Sequence, residues 1–369
     1  MNFDFSEDQK LLQQTARDYL EEHSPLSVCR EILESDAPYS KELWNGAAEL
    51  GWLGAAIPEE YGGAGFGYLE LVLIAEEIGR SLAPIPFGPT VYVATEALLA
   101  AGSDAQKQAY LTRIASGDAI GTFAFTEGPG QNDVEAVSAT FKDGKLEGTK
   151  LPVLDGEAAD FAIVAANSAA GLTLVLADLH GQGVTRESIE SIDPARPLAK
   201  LTFDGAAAET LGAEGEGAAL AATLLDRAAV LTAFEQLGAA TATFESTKQF
   251  TLGRYAFGRP VASFQAIKHR LADLWCEIEL ARSNCFWAAW ALENNDAELK
   301  LAACSARIQA TTALDLASVE QIQMHGGVGY TWEYDCHLFY RRARLLAAVL
   351  GGKSAWSDRL VDRLDTAAA

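Results

Sequence analysis

Apolar positions in the first 115 residues recur at intervals of three and four. After Ser6, Glu7 and Asp8, the residues Leu11, Leu12, Ala16, Tyr19 and Leu20 fall on one face, which predicts a helix starting at Ser6. The stretches "YSKELWNGAAELGWL" and "YLELVLIAEEIGRSL" repeat the helical period, with the Gly-rich turn "YGGAGFG" (Tyr61 to Gly67) between them. Near Ile120 the pattern changes. "GTFAFTE", "VSATFKDGKLEGTKLPVL", "FAIVAAN", "LTLVLADL" and "KLTFDG" are short β-branched or aromatic runs separated by turn signals such as Asp143-Gly144, so a small antiparallel β domain ending near Ala206 is expected. From Glu216 onward long helical segments return, interrupted at Gly253, at Gly258-Arg259-Pro260 and at "HGGVGY". The expected domains are therefore 1–115 (helical), 116–208 (β) and 209–369 (a helical bundle).

Charge and composition narrow what such a chain can do. Its 369 residues suffice for a sizeable core. Acidic residues outnumber basic ones 51 to 28, a formal net charge of -23 that disfavours nucleic acid and anionic membrane as partners. Cys29, Cys276, Cys285, Cys304 and Cys336 show no metal-ligand spacing and read as reduced thiols, with no metal site expected. The start "MNFDFSEDQK" lacks the cationic and apolar regions of a signal peptide, and no stretch approaches the ~18 apolar residues of a membrane span. A soluble, cytoplasmic protein is expected.

Four stretches carry a more specific message. "PEEYGGAGFGYLELVLIAEEIGRSLAP", "FAFTEGPGQNDV", "GRYAFGRPVASFQAIKHRLAD" and "QIQMHGGVGYTWEYDCHLFYRRAR" resemble, in order and spacing, the acyl-CoA dehydrogenases, and the resemblance covers essentially the whole chain. It implies an α+β fold with an N-terminal helical domain, a small central β-sandwich or barrel and a C-terminal four-helix bundle. It also implies FAD-dependent α,β-desaturation of an acyl-CoA thioester. Such chemistry needs a carboxylate for the α-proton, a flavin to take the β-hydride, and a dry slot for both.

Laid on the family's last-helix pattern, the usual Glu position holds Leu350, which cannot accept a proton. In isovaleryl-type relatives the base sits on an earlier helix. There the chain reads "LLDRAAVL", with Asp226 at the Glu position and Arg227 at its Arg. Asp226 is thus a candidate base, weighed against an Asp-Arg surface ion pair. On the flavin-facing strand, Pro152 stands for the family's Trp and Leu154 for its Thr. Thr126 and Glu127 are kept, and Asn132 replaces a Ser.

By the same resemblance, the residues that reach the neighbouring subunit's FAD are present: Arg254, Phe257 and Gln265, then Gln323, Gly326 and Gly327. Arg can donate charge-assisted bonds to phosphate, and paired glycines let backbone approach a diphosphate. A surface ion pair for Arg254 and an ordinary loop for the glycines are the plainer readings. His269 and His325 read as packed or hydrogen-bonded histidines, "GAEGEG" as a connector, and Phe286, Trp287 and Trp290 as core or tetramer packing. The combination resembles the base-lacking subunit of α2β2 acyl-CoA dehydrogenases of bacterial steroid side-chain degradation. It implies a paralogous partner supplying the Glu, an acyl-CoA substrate with a steroid side chain as one candidate, and an electron-transferring flavoprotein as acceptor. A self-sufficient homotetramer using Asp226 and a non-catalytic structural subunit stay open as alternatives.

Overall fold

The computed structural model describes residues 5–128, 130 and 136–368. Along the chain come α1 (Glu7–His23), α2 (Leu26–Leu33), α3 (Lys41–Glu49), α4 (Tyr68–Arg80), a π-helical segment (Gly88–Thr95), α5 (Glu96–Ala101) and α6 (Asp104–Ala115). Strands follow: β1 (Gly121–Ala124), β2 (Thr140–Lys142), β3 (Lys145–Leu154), β4 (Phe161–Ser168), β5 (Gly171–Asp178), β6 (Val184–Ile189) and β7 (Leu198–Leu211). The chain ends with α7 (Gly217–Gly253), the two-stranded ribbon β8 (Tyr255–Ala256) and β9 (Arg259–Pro260), α8 (Gln265–Glu293), α9 (Leu299–His325), α10 (Cys336–Ala348) and α11 (Lys353–Ala368). It packs as two compact units, one made of the chain up to Glu31, Tyr68–Ala83 and the chain from Ala229 on, the other of Ile32–Gly67 and Pro84–Ala228.

The first unit is helical. Ser6 caps α1 in a reciprocal capping box with Gln9. Ala16 and Leu20 are buried there, but Leu11 is 66 % exposed, so the buried stripe is narrower than the periodicity predicts. Where α4 meets α7 the backbones approach so closely that a Cβ on Gly79 would lie 1.8 Å from the Glu235 carbonyl oxygen, and one on Gly238 1.8 Å from that of Glu76. Charged side chains border the same contact: Arg17 donates to Glu77 at 2.7 Å and Arg282 to Glu76 at 2.9 Å.

The second unit holds the β domain and an apolar core that includes Ile57, Leu98, Leu111, Ile114, Phe161, Leu174 and Leu211. Asp143 and Gly144, both at positive φ, make the turn between β2 and β3 that the sequence signals. Two features differ from the expectation of an antiparallel domain ending near Ala206, and one bears out the barrel alternative. β1 pairs with β4 in parallel, so the sheet is not wholly antiparallel. β5 pairs with both β4 and β7, which closes β4-β2-β3-β7-β5 into a barrel. Finally, β7 runs on to Leu211, and β6 had no distinctive apolar run, because its burial pattern leaves most of its side chains in water.

One further correction concerns α7. This helix is long and apolar enough to cross a membrane by length and composition, contrary to the expectation that no stretch approaches that length; 67 % of its most apolar window is buried inside the protein, as in a core helix.

Candidate functional site

In the β domain, the candidate flavin face is built on β3. Pro152 lacks an amide, and the ladder from β3 to β7 breaks there: pairing runs to Lys150–Leu201 and resumes at Val153–Ala199. The Pro152 ring is exposed and its carbonyl accepts from Thr126 Oγ1 at 3.2 Å. Leu154 is half-buried, and its carbonyl accepts from Thr122 Oγ1 at 2.7 Å. Neither side chain offers a flavin a hydroxyl or an aromatic plate. Asn132 lies outside the described residues.

The β domain also holds a polar cluster, of which the sequence reading named only Glu127. Lys150 is fully buried, and its ammonium donates to the Phe125 carbonyl at 3.1 Å and to Glu127 at 2.7 Å. The Glu127 carboxylate also accepts from the Ser138 amide at 2.8 Å, the Ser138 hydroxyl at 2.5 Å and the Ala139 amide at 2.9 Å. Burial pushes the Glu127 carboxyl up, but the Lys150 ammonium and then the Ser138 and Ala139 donors outweigh it and hold the group down at about 2. Burial pushes the Lys150 ammonium below its usual range against the pull of Glu127. The signal was a lysine at an inward-facing position of an alternating strand, where only a paired charge is tolerated.

Asp226 and Arg227 sit in the first part of α7. Asp226 is 4 % exposed, and the Arg227 guanidinium reaches Glu96 of α5 at 3.0 Å. Asp226 is thus buried rather than at the surface, and Arg227 makes a contact between helices.

In the helical unit, Leu350 lies just past α10 in a left-handed conformation (φ 62°), half-buried. Its carbonyl accepts from the buried Trp356 indole at 3.1 Å. The helix end is tied by Arg307, a buried guanidinium that donates to the Val349 carbonyl at 2.6 Å and to Leu346. Burial lowers the Arg307 pKa to about 10, against the pull of Glu235 and Asp315. The backbone around the usual base position is thus well ordered although no carboxylate is there.

The remaining candidates gather where α7 and α9 end. Arg254 follows α7; its amide donates to Phe250 at 2.8 Å, and its carbonyl accepts from Val261 at 2.7 Å. Its side chain is exposed and makes no ion pair among the described residues. Phe257 and Gly258, both at positive φ, turn the β8–β9 ribbon, and Phe257 is 97 % exposed. Arg259 covers the Phe264 ring at 3.9 Å. Gln265 opens α8 and Gln323 lies in the last turn of α9, both exposed. Gly326 (φ 63°) and Gly327 are exposed, and a Cβ on either would meet nothing within 4 Å. These two glycines differ from Gly79 and Gly238, which internal packing demands. Nothing inside the unit closes over the 326–327 backbone, so another molecule can approach it. The two helix ends are joined by Phe250 stacked on His325 at 3.9 Å. Exposed charge, amide side chains and bare backbone fit a diphosphate-bearing group such as FAD.

His269 is exposed, and Phe286 packs edge-on to Phe5 at 5.0 Å and stacks with Phe234 at 6.2 Å, in the manner of core packing. Among the described residues no group of three His, Cys, Asp or Glu is placed to hold a metal ion. A cavity of about 560 Å³ beside α1, α2, α4 and α7 is lined by none of the candidate catalytic or cofactor-binding residues.

Residues 6–118 match the acyl-CoA dehydrogenase N-terminal domain, and residues 215–362 match the acyl-CoA dehydrogenase C-terminal domain. The chain is 33 % identical over 345 residues to the acyl-CoA dehydrogenase IpdE2 of Mycobacterium tuberculosis, covering 93 % of each. It superposes with a TM-score of 0.88 and 30 % identity on a structure of the Tcur3481–Tcur3483 steroid acyl-CoA dehydrogenase, covering 98 % of this chain and 99 % of that one. For the ChsE4–ChsE5 complex from Mycobacterium tuberculosis the TM-score is 0.90 at 26 % identity, with 99 % of each chain covered. With both ends matched and nearly the full length shared with relatives, this chain belongs to the acyl-CoA dehydrogenase family, flavoprotein oxidoreductases that act on the CH–CH bond of acyl-CoA thioesters.

Proposed function

We propose that this chain is one subunit of an α2β2 acyl-CoA dehydrogenase, and that it completes the FAD site of a paralogous partner which supplies the catalytic Glu. The observation that carries the reading is a contrast within one chain. A leucine occupies the base position and a proline and a leucine the flavin face, while Arg254, Gln265, Gln323 and the bare Gly326–Gly327 backbone are turned outward. The likeness to the Tcur3481–Tcur3483 steroid acyl-CoA dehydrogenase supports a steroid-type acyl group, and the likeness to the ChsE4–ChsE5 complex supports an unlike partner.

FAD, when bound, supplies the hydride acceptor for the β-carbon of the acyl chain. The work of this chain's residues is to hold the cofactor. Arg254 donates charge-assisted hydrogen bonds to the diphosphate, Gln265 and Gln323 offer amide donors and acceptors beside it, and Gly326 and Gly327 let it lie against the backbone. Phe257 extends from the ribbon as an apolar contact for the partner. Leu350 gives this chain no base of its own, so the α-proton is left to the partner's carboxylate. An electron-transferring flavoprotein is the acceptor proposed on family grounds.

The test is co-expression with the paralogous chain. Arg254→Ala in this subunit should strip flavin and turnover from the complex while leaving the chain folded. Unchanged flavin content would contradict the reading.

A further inference from the structure

His325 takes no part in the reading above, yet it sits where the end of α7 meets the end of α9. Its Nδ1 lies 2.7 Å from the backbone carbonyl of Gln321. A carbonyl can only accept, so Nδ1 carries the proton and the ring has one fixed tautomer. One face of the ring stacks on Phe250 of α7, with centroids 3.9 Å apart and planes 21° from parallel. Tyr334, in the segment leading to α10, meets it edge-on at 6.1 Å. Phe250 itself meets Tyr334 at 6.1 Å and 88°, so three rings from three segments close one cluster.

The turn that follows is held just as tightly. A Cβ on Gly329 would lie 2.6 Å from the Ile322 carbonyl oxygen and 3.0 Å from the His325 Cβ, so the Gly326–Tyr330 turn folds directly back on the end of α9. On the α7 side, Phe250 accepts the Arg254 amide. The imidazole therefore joins the helix end that presents Arg254 to the one that presents Gly326 and Gly327.

We propose that His325 is a positioning residue: its hydrogen bond to Gln321 and its stack on Phe250 set the spacing between Arg254 and the Gly326–Gly327 backbone, and so the fit of the surface to the diphosphate of FAD. The inference rests on the function proposed above, in which this chain lends Arg254 and the Gly326–Gly327 backbone to the partner's FAD site (the donor-side reading). It assigns the imidazole no proton transfer and no contact with the cofactor.

The experiment measures FAD affinity of the complex between this chain and its paralogue, with His325→Phe, His325→Gln and His325→Ala compared, and the unfolding midpoint of each recorded separately. His325→Phe keeps a ring on Phe250 but loses the donor. It should weaken FAD binding about 3- to 10-fold, the effect of one neutral hydrogen bond. His325→Gln, whose flat amide can both stack and donate, should recover most of the loss. His325→Ala should be the weakest, and if it fails to fold the Phe and Gln pair still decides the matter. A merely structural role would lower the unfolding midpoint and leave the affinity of the folded complex unchanged, and that result overturns the proposal. Arg254→Ala run in parallel separates the two readings. If it weakens FAD binding and the His325 variants do not, only the role of His325 falls; if it has no effect, the donor-side reading falls and this one with it.

Discussion

The barrel end of the β domain and the surface where α7 and α9 end treat polar groups in opposite ways. In the barrel two charged pairs are turned inward, Lys150 with Glu127 at 2.7 Å and Arg196 with Asp155 at 2.8 Å, all nearly or fully excluded from water. At the helix ends Arg254, Gln265 and Gln323 are exposed beside Gly326, which the turn itself holds at φ 63°, and Gly327, whose added Cβ would meet nothing within 4 Å. A buried pair serves the fold, since removing one partner leaves a charge in low dielectric. An exposed arginine beside bare backbone contributes little to the chain by itself, and its use lies with a second molecule. The same family scaffold thus carries one region finished internally and one that, in the function proposed above, is completed by a second molecule.

The largest effect should come from breaking the inward side. Lys150→Met leaves the Glu127 carboxylate buried without its cation and should cost about 3–5 kcal/mol of stability, measured by denaturant unfolding. A loss below about 1 kcal/mol would mean that the Ser138 and Ala139 donors suffice alone.

On the outward side, Arg254→Ala should weaken flavin binding by the complex about 10- to 100-fold, as expected for charge-assisted bonds to phosphate, while the stability of the isolated chain changes by less than about 0.5 kcal/mol. Equal losses in both assays would erase the contrast between the two regions.

Acid provides a graded version of the first test. The folded-state pKa of Glu127 is depressed to about 2 from an ordinary 4.5. Its contribution is therefore present in full above the unfolded value and is lost as the pH falls through the folded one. Stability of the chain should decline from about pH 4.5 toward pH 2 more steeply than that of Glu127→Gln, in denaturant titrations at each pH. Parallel curves would exclude the pair as the cause.

The smallest effect is expected at Asp226. Asp226→Asn in the complex should not produce the ~10²–10⁴-fold loss of turnover that follows removal of a general base, because that role is given to the partner's Glu. A loss of that size would favour the self-sufficient enzyme.

Much of the architecture could be read from period and turn chemistry. The helical periodicity after Ser6 and the Asp143-Gly144 turn report local preferences that tertiary packing did not overrule. The parallel β1–β4 pairing could not be read, because pairing partners are set by long-range contacts that leave no local signature. The strand β6 escaped for a different reason: it buries few side chains and so has no apolar alternation. At the candidate site, Arg254, Gln323 and the glycines were singled out by their place in motifs that resemble the family's, not by any local pattern. The Glu127–Lys150–Ser138 cluster and the Phe250–His325 stack were not, since each joins segments distant in sequence. Leu350 was legible as an absence of acid, but its ordered backbone depends on Arg307, some forty residues earlier.

The central claim meets its most direct test in the visible absorbance of this chain purified alone, expressed as FAD per polypeptide. The account predicts little or no flavin, restored when the paralogous subunit is co-expressed. A full complement of FAD on the isolated chain would contradict it.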